Sequence, residues 1–504
     1  MLLSLTLAAA AAVAGASPAA APVASGDLSQ SVRSEINKLG LKKASIAVSI
    51  RDVATGRVIA SYQADRALAP ASNQKLLTTG AALLTLGPAF AFETKLLRDG
   101  NRLIVVGDGD PALGDPELLA QSSFLDAAGV VHTGMTIEQL LDSWVRAVAA
   151  SGVKSLSEIV VDDRIFAREG AHPSWPKDQL DEAYCSPPCG VNFHANTLHV
   201  SLAPTSGGAP RVTALSPKAP WLTIENKGSS RTGKGDRNTA WIARTPETGA
   251  LTIYGNVRTP LASPIAVGVS DPGMFLAQCL ADRIQRAGIP VARARTAKPN
   301  EAQPTGTRIG PILRTPLSTV ISRCNVESEN LYAESLLKRI AAQQTGQPGS
   351  WATGTAAIHR LVSGAVGASA SPFVVSDGSG LSRDNRVTAD GVTAWLAALA
   401  ADSTVGPAFV GSLAVAGQSG TVRKRMKDIN PALAMVQCKT GYIDKVSCLS
   451  GYVTSGNGTR YAFSVLGNNL SERDSVGKLK GLQDKIARLI ADAIGAQSKQ
   501  ALGG

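Results

Sequence analysis

The sequence predicts an α+β protein: an antiparallel sheet flanked by helices, assembled from both ends of the chain and interrupted by a large β-rich insertion. Three observations carry this reading. Alternating apolar residues over 44–52 and 58–62, separated by Thr55-Gly56, read as a β-hairpin, and a second hairpin falls at 432–454. Helical apolar runs at 75–86, 272–287, 316–325, 331–344, 351–366 and 475–494 accompany those hairpins. Residues 93–262 have a different texture, with short strands at 102–106, 157–162, 197–202 and 251–257 set between turn-rich loops. The expected organisation is a first core part at 27–92, one or two inserted domains at 93–262 and a second core part at 263–496.

Composition narrows the class. The chain has 504 residues, 44% hydrophobic and 18% charged, an ordinary globular balance rather than a disordered one. With 50 Lys+Arg against 39 Asp+Glu the net charge is +11. That surplus is dispersed without long basic blocks or interleaved aromatics, which argues against nucleic acid as a partner. No apolar run reaches the roughly 18 residues that cross a bilayer, and no period of about 20–50 residues marks a solenoid or propeller. Two loops, 205–210 and 227–238, are rich in Gly and Ser. The second is also basic, which suits either contact with an anionic polymer or a plain solvated loop.

At the N-terminus, the apolar stretch 2–13, the small residues Ala14-Gly15-Ala16 and the Pro/Ala/Ser spacer 17–26 read as a signal peptide cut near Ala16. Its n-region is atypical in lacking Lys or Arg. Export to the periplasm follows as an expectation, with peripheral membrane or envelope association open. Export permits disulfides among Cys185, Cys189, Cys279, Cys324, Cys438 and Cys448. Cys185 and Cys189 flank Ser-Pro-Pro and can close a tight loop. Cys438 and Cys448 lie about equally far from a turn placed near Ile443, which allows a cross-strand pair. A zinc site lacks ligands, because His132, His172, His194, His199 and His359 show no metal spacing beside these cysteines.

Ser72-Asn73-Gln74-Lys75 places a hydroxyl and an amine one turn apart at a helix start, where a lysine amine can take a serine proton. The spacing recurs at Ser151/Lys154, Ser174/Lys177, Ser335/Lys338 and Ser475/Lys478; only Ser72 follows a strand hairpin and opens an apolar helix. Taken singly, Ser72 also fits an N-cap and Lys439 a solvated strand residue. Ser328-Glu329-Asn330 stands directly before a helix. Lys439-Thr440-Gly441 lies on a strand of the second hairpin, where Gly441 would let a substrate backbone approach the edge. Alternation along that strand turns Cys438 away from the face of Lys439.

Ser-x-x-Lys, Ser-x-Asn and Lys-Thr-Gly in this order form the signature of penicillin-binding proteins and serine β-lactamases. The long chain between Ser72 and Ser328, the segments 107–113, 162–166, 175–176, 377–383 and 417–426, and Gly451-Tyr452-Val453 together resemble the D-alanyl-D-alanine carboxypeptidase/endopeptidase family of class C low-molecular-mass penicillin-binding proteins. The similarity covers about residues 30–490. It implies a transpeptidase-like core, peptidoglycan stem peptides ending in D-Ala-D-Ala as substrate, β-lactams as covalent inhibitors, and no cofactor. By resemblance, Ser72 is the nucleophile, Lys75 the base and Ser328 a proton relay. Asn330 holds the substrate amide, and Lys439 and Thr440 bind the terminal carboxylate. The N–H groups of Ser72 and Tyr442 form the oxyanion hole. Asp162 is a candidate contact for the substrate's diamino acid, unless Asp162-Asp163 serves a turn. Glu329, where Asp or Asn is commoner, carries no chemistry, and the 378–383 loop shapes the cleft wall. A serine β-lactamase and an inactive peptidoglycan-binding protein are the alternatives.

Overall fold

The computed structural model describes residues 25–125, 131–245 and 248–502. The expected signal peptide and most of the spacer lie outside them. The core is a six-stranded antiparallel sheet in the order Ala414–Val415, Ala434–Ile443, Val446–Ser455, Arg460–Asn468, Ser45–Asp52 and Val58–Tyr62. Both ends of the chain therefore contribute neighbouring strands, as the split pattern of hairpins predicts.

Period-two alternation sends successive side chains to opposite faces of this sheet. Val446, Cys448 and Tyr452 face a core shared with helices Gln74–Leu86, Asn330–Thr345, Trp351–Val366 and Ala389–Ala401. Leu449, Val453, Phe463 and Val465 face the opposite way, onto Ser25–Lys38 and Ser475–Leu502. The result is a sheet with helices on both sides.

The inserted part has its own core. Its principal sheet runs Ala294–Thr296, Glu158–Asp162, Arg102–Val106, Ala91–Asp99 and Thr307–Pro316, accompanied by helices Ile137–Ala150 and Pro272–Arg286 and two three-stranded sheets. The texture of the sequence changes at 262, but packing of this core continues to Leu313. The helix Pro272–Arg286 accordingly buries Phe275, Leu276 and Leu280 among inserted strands.

Two cysteine expectations are corrected. All six thiols are free. The hairpin turn is the two-residue Asp444-Lys445, with Ile443 opposite Val446, so Cys438 faces Gly451 and Cys448 faces Gly441. The two cysteines also point to opposite faces, Cys438 into the C-terminal-helix side and Cys448 into the other core. Centring the turn one and a half residues early produced the false pairing. Cys185 is buried in the first core, while the Cys189 thiol lies 3.5 Å from an Asp163 carboxylate oxygen.

Candidate active site

Ser72 sits in a single 3-10 turn, Ala71–Asn73, that leads into helix Gln74–Leu86. Two glycines allow this turn to be gripped from both sides. A Cβ on Gly380, whose φ is +85°, would stand 1.8 Å from the Ala71 carbonyl oxygen; one on Gly441 would stand 2.6 Å from that of Pro70. The space left by the missing Gly441 side chain is thus filled by the protein's own backbone. Ser72 does not cap the helix: its Oγ accepts a hydrogen bond from Lys75 Nζ at 3.1 Å.

The Lys75 ammonium is fully buried and donates to three acceptors: Ser72 Oγ, Asn330 Oδ1 at 2.7 Å and the Ser379 carbonyl at 3.0 Å. None is a carboxylate, so desolvation dominates and holds its pKa below the ordinary lysine range; more distant acidic groups, Glu334 and Asp377 among them, oppose the shift. Lys439 is likewise buried, donating to Ser328 Oγ at 2.8 Å and to the Thr440 carbonyl at 2.9 Å. Burial, aided by repulsion from Lys75, pushes it down to about 7. Neither buried amine has an ion-pair partner, and burial shifts both toward the neutral form.

Ser328 occupies the turn between helices Leu317–Val326 and Asn330–Thr345 with φ +70°, a left-handed conformation that a serine adopts at a cost. Asn330 opens the second helix; its Nδ2 donates to the Tyr184 carbonyl at 3.0 Å. The strand Ala434–Ile443 is paired outward by Ala414–Val415 only at Gln437 and Cys438. Among the described residues, its edge from Lys439 onward has no further strand partner. Thr440 Oγ1 donates to Thr421 Oγ1 at 2.8 Å. Cys438 points away from Lys439, as alternation predicts, and burial raises its thiol to about 12. Tyr442 turns its half-exposed ring toward Lys480, so only its backbone adjoins the Lys-Thr-Gly edge.

The structure therefore brings Ser72, Lys75, Ser328, Asn330, Lys439, Thr440 and Gly441 together. Asp162, at the end of inserted strand Glu158–Asp162, has its carboxylate engaged by Arg164 Nε at 2.7 Å and Nη2 at 2.8 Å. Asp163 is gripped in the same manner by Arg168. Burial raises Glu329 above the usual carboxylate range, and the Arg323 charge opposes that shift.

Other residues support the site: Asp377, Trp175 and Thr421 fall in segments already noted for the resemblance, whereas Glu334 and Tyr184 do not. Glu334, fully buried, accepts from the N–H groups of Gly378 and Ser379, both at 2.8 Å, and so aims the Ser379 carbonyl at Lys75. Burial, with Asp377 close by, pushes its carboxyl up to about 8. Asp377 anchors the same loop through Gly380 N, Ser382 N, Asn385 Nδ2 and Trp175 Nε1. Thr421 and Tyr184 border the opening. The acidic spacing of Glu334 one turn after Asn330 was a readable signal; the Tyr184 carbonyl, a backbone atom from the insertion, left none.

Comparison with known proteins agrees with this geometry. The profile of the D-Ala-D-Ala carboxypeptidase 3 (S13) family matches residues 28–490. A D-alanyl-D-alanine carboxypeptidase of Actinomadura sp. is 29% identical, over 96% of this chain and 89% of the relative. The D-alanyl-D-alanine carboxypeptidase DacB of Haemophilus influenzae is 25% identical, over 85% of this chain and 86% of its own. The crystal structure of penicillin-binding protein 4 (dacB) from Haemophilus influenzae superimposes with TM-score 0.71 at 22% identity, covering 90% of this chain and 99% of that one. A second crystal structure of that protein, complexed with a β-lactam, gives TM-score 0.66 at 21% identity, with the same coverage. The match runs through the insertion as well as the core, and the chain belongs to the D-Ala-D-Ala carboxypeptidase 3 (S13) family of serine-type peptidases.

Proposed function

We propose that Ser72 is the acylating nucleophile of a peptidase that cleaves peptidoglycan stem peptides at D-Ala-D-Ala, as a carboxypeptidase and on cross-links as an endopeptidase. The observation that carries this reading is the pairing of Ser72 Oγ with a buried Lys75 amine at 3.1 Å, with no carboxylate to hold the lysine charged. In its neutral form Lys75 accepts the Ser72 proton along that line while Oγ attacks the penultimate D-Ala carbonyl. The oxyanion is held by the N–H groups of Ser72 and Tyr442; one such donor is typically worth about 10²–10³ in rate. Ser328, bonded to Lys439, passes a proton to the leaving D-Ala amine. The departing carboxylate is bound by Lys439 and Thr440, and Asn330 orients the substrate amide and Lys75. Water then hydrolyses the ester to the shortened peptide and free Ser72.

The open edge after Cys438 suits an extended peptide lying alongside the strand. A strained β-lactam amide is attacked by the same serine and leaves a stable acyl-enzyme, in keeping with the β-lactam complex of the Haemophilus relative. The proposed compartment is the periplasm, and no helix of the described residues is long and apolar enough to cross a membrane. The test is D-Ala release from a soluble pentapeptide ending in D-Ala-D-Ala. The wild type should release D-Ala and Ser72→Ala should not; equal rates would refute the assignment, and binding without release would favour an inactive peptidoglycan-binding protein.

A further inference from the structure

The insertion carries a surface that the reaction at Ser72 does not use. Its outer three-stranded sheet, ordered Ile224–Asn226, Leu251–Tyr254 and Trp241–Arg244, buries Ile242 and Ile253 in the second core. Alternation then places Trp241 and Tyr254, cross-strand partners in register, on the opposite face. Their rings stack with centroids 4.8 Å and planes 21° apart, and Trp241 is still 52% exposed. The Lys227 ammonium lies 5.9 Å from the Tyr254 ring centroid.

A basic arch stands beside this pair. Arg231, Lys234 and Arg237 on loop 227–239, with Arg258, are all exposed, and among the described residues none of the four makes an ion pair. Buried Asn256 fixes the arch: its side chain accepts from Arg231 N at 2.7 Å and donates to the carbonyls of Arg231 and Arg237, both at 3.0 Å. Asn238 Oδ1 ties it to the N–H of Arg258 at 2.7 Å. The backbone carrying these cations is therefore anchored to Asn256, two residues beyond Tyr254. The platform strand also contacts the segment that leads to Tyr184, where Arg244 Nη2 donates at 2.5 Å to the Leu180 carbonyl.

The combination discriminates among partners. A purely apolar partner would leave four cations unanswered, and a simple polyanion would leave the stacked aromatics in water. A polymer of sugar rings bearing carboxylated peptides answers both, with ring C–H faces against Trp241 and carboxylates toward the arch. We propose that this face binds the glycan–peptide polymer of peptidoglycan and keeps the insoluble substrate at the enzyme while Ser72 works on its peptides. This rests on the substrate reading given above.

The test is co-sedimentation of the full-length protein with purified insoluble sacculi, alongside acylation of Ser72 by soluble penicillin. Trp241→Ala should weaken sacculus binding about tenfold, the scale of losing an exposed aromatic anchor, and leave acylation within about twofold. The triple change Arg231→Ser, Lys234→Ser, Arg237→Ser should weaken binding at low salt, with the difference from wild type shrinking as salt screens the charges. Unchanged sacculus binding in both variants overturns the proposal. So does a loss confined to the triple variant together with equal binding to heparin, which would mark a general polyanion patch. If the wild type is not acylated, the Ser72 reading falls, while sacculus binding still decides this proposal.

Discussion

Two Ser-x-x-Lys sequences lie on neighbouring buried helices of this molecule and have opposite fates. Lys75 and Lys338 are both fully buried. Lys338 donates to the Glu169 carboxylate at 2.8 Å and the Ala167 carbonyl at 2.9 Å, and stands 4.7 Å from the Trp351 ring centroid. Its nearest serine in the pattern, Ser335, instead accepts from Asn192. Lys75 has a serine hydroxyl, an amide oxygen and a backbone carbonyl, with no carboxylate within ion-pairing distance among the described residues. Burial lowers the pKa of both lysines; at Lys338 the neighbouring Glu169 carboxylate opposes the shift, and at Lys75, the proposed base, no carboxylate stands as near. The difference lies in what the surroundings supply, not in the spacing.

The comparison can be broken most sharply by rate. Lys75→Met should slow penicillin acylation about 10³-fold, within the range of a lost general base, while Lys338→Met should leave it within about threefold. Equal losses would show that both lysines act only through packing. Stability should sort the pair in the reverse order. Lys338→Met leaves Glu169 without its cation, though still bonded to the Trp351 N–H; because that side chain is 32% exposed, the cost is discounted from a fully buried pair to about 1–3 kcal/mol. Lys75→Met breaks no ion pair but strands three hydrogen-bond acceptors, so it should lower the urea midpoint less than Lys338→Met does.

Lys439 supplies a pH-dependent version of the same contrast. Its folded pKa is near 7 against an ordinary 10.5. Between those values the unfolded chain binds a proton that the folded state lacks, so folding stability rises with pH across the window; the penalty is fully present below about pH 7. Urea midpoints at pH 7 and 9.5 should therefore differ less in Lys439→Met than in the wild type. An unchanged difference would place Lys439's proton elsewhere. The smallest expected effect concerns thiols: peptide mapping without reduction should find no Cys438–Cys448 cross-link, and finding one would contradict the hairpin register.

What the sequence revealed and what it concealed follow physical lines. The side chains of the three motifs were readable because their chemistry and order are unusual together. The core hairpins and most helices were readable because amphipathic periods of two and 3.6 survive in them. Strand Thr307–Pro316 escaped notice because its register shifts between Ile309 and Leu313 around Gly310-Pro311, which breaks the alternation. Helix Ile137–Ala150 was hidden by the strand-like texture around it, although Thr136 and Gln139 form a capping box. The contacts of Ser379 and Tyr184 use backbone carbonyls, which no residue type announces.

The central claim is that the Ser72–Lys75 pair is a working acylating centre. Intact-mass spectrometry of the purified protein after brief penicillin exposure, with peptide mapping of the adduct, tests it most directly. The account predicts one penicillin per chain, mapped to Ser72 and absent from Ser72→Ala. An unmodified protein beside intact drug, or an adduct on any other residue, would contradict it.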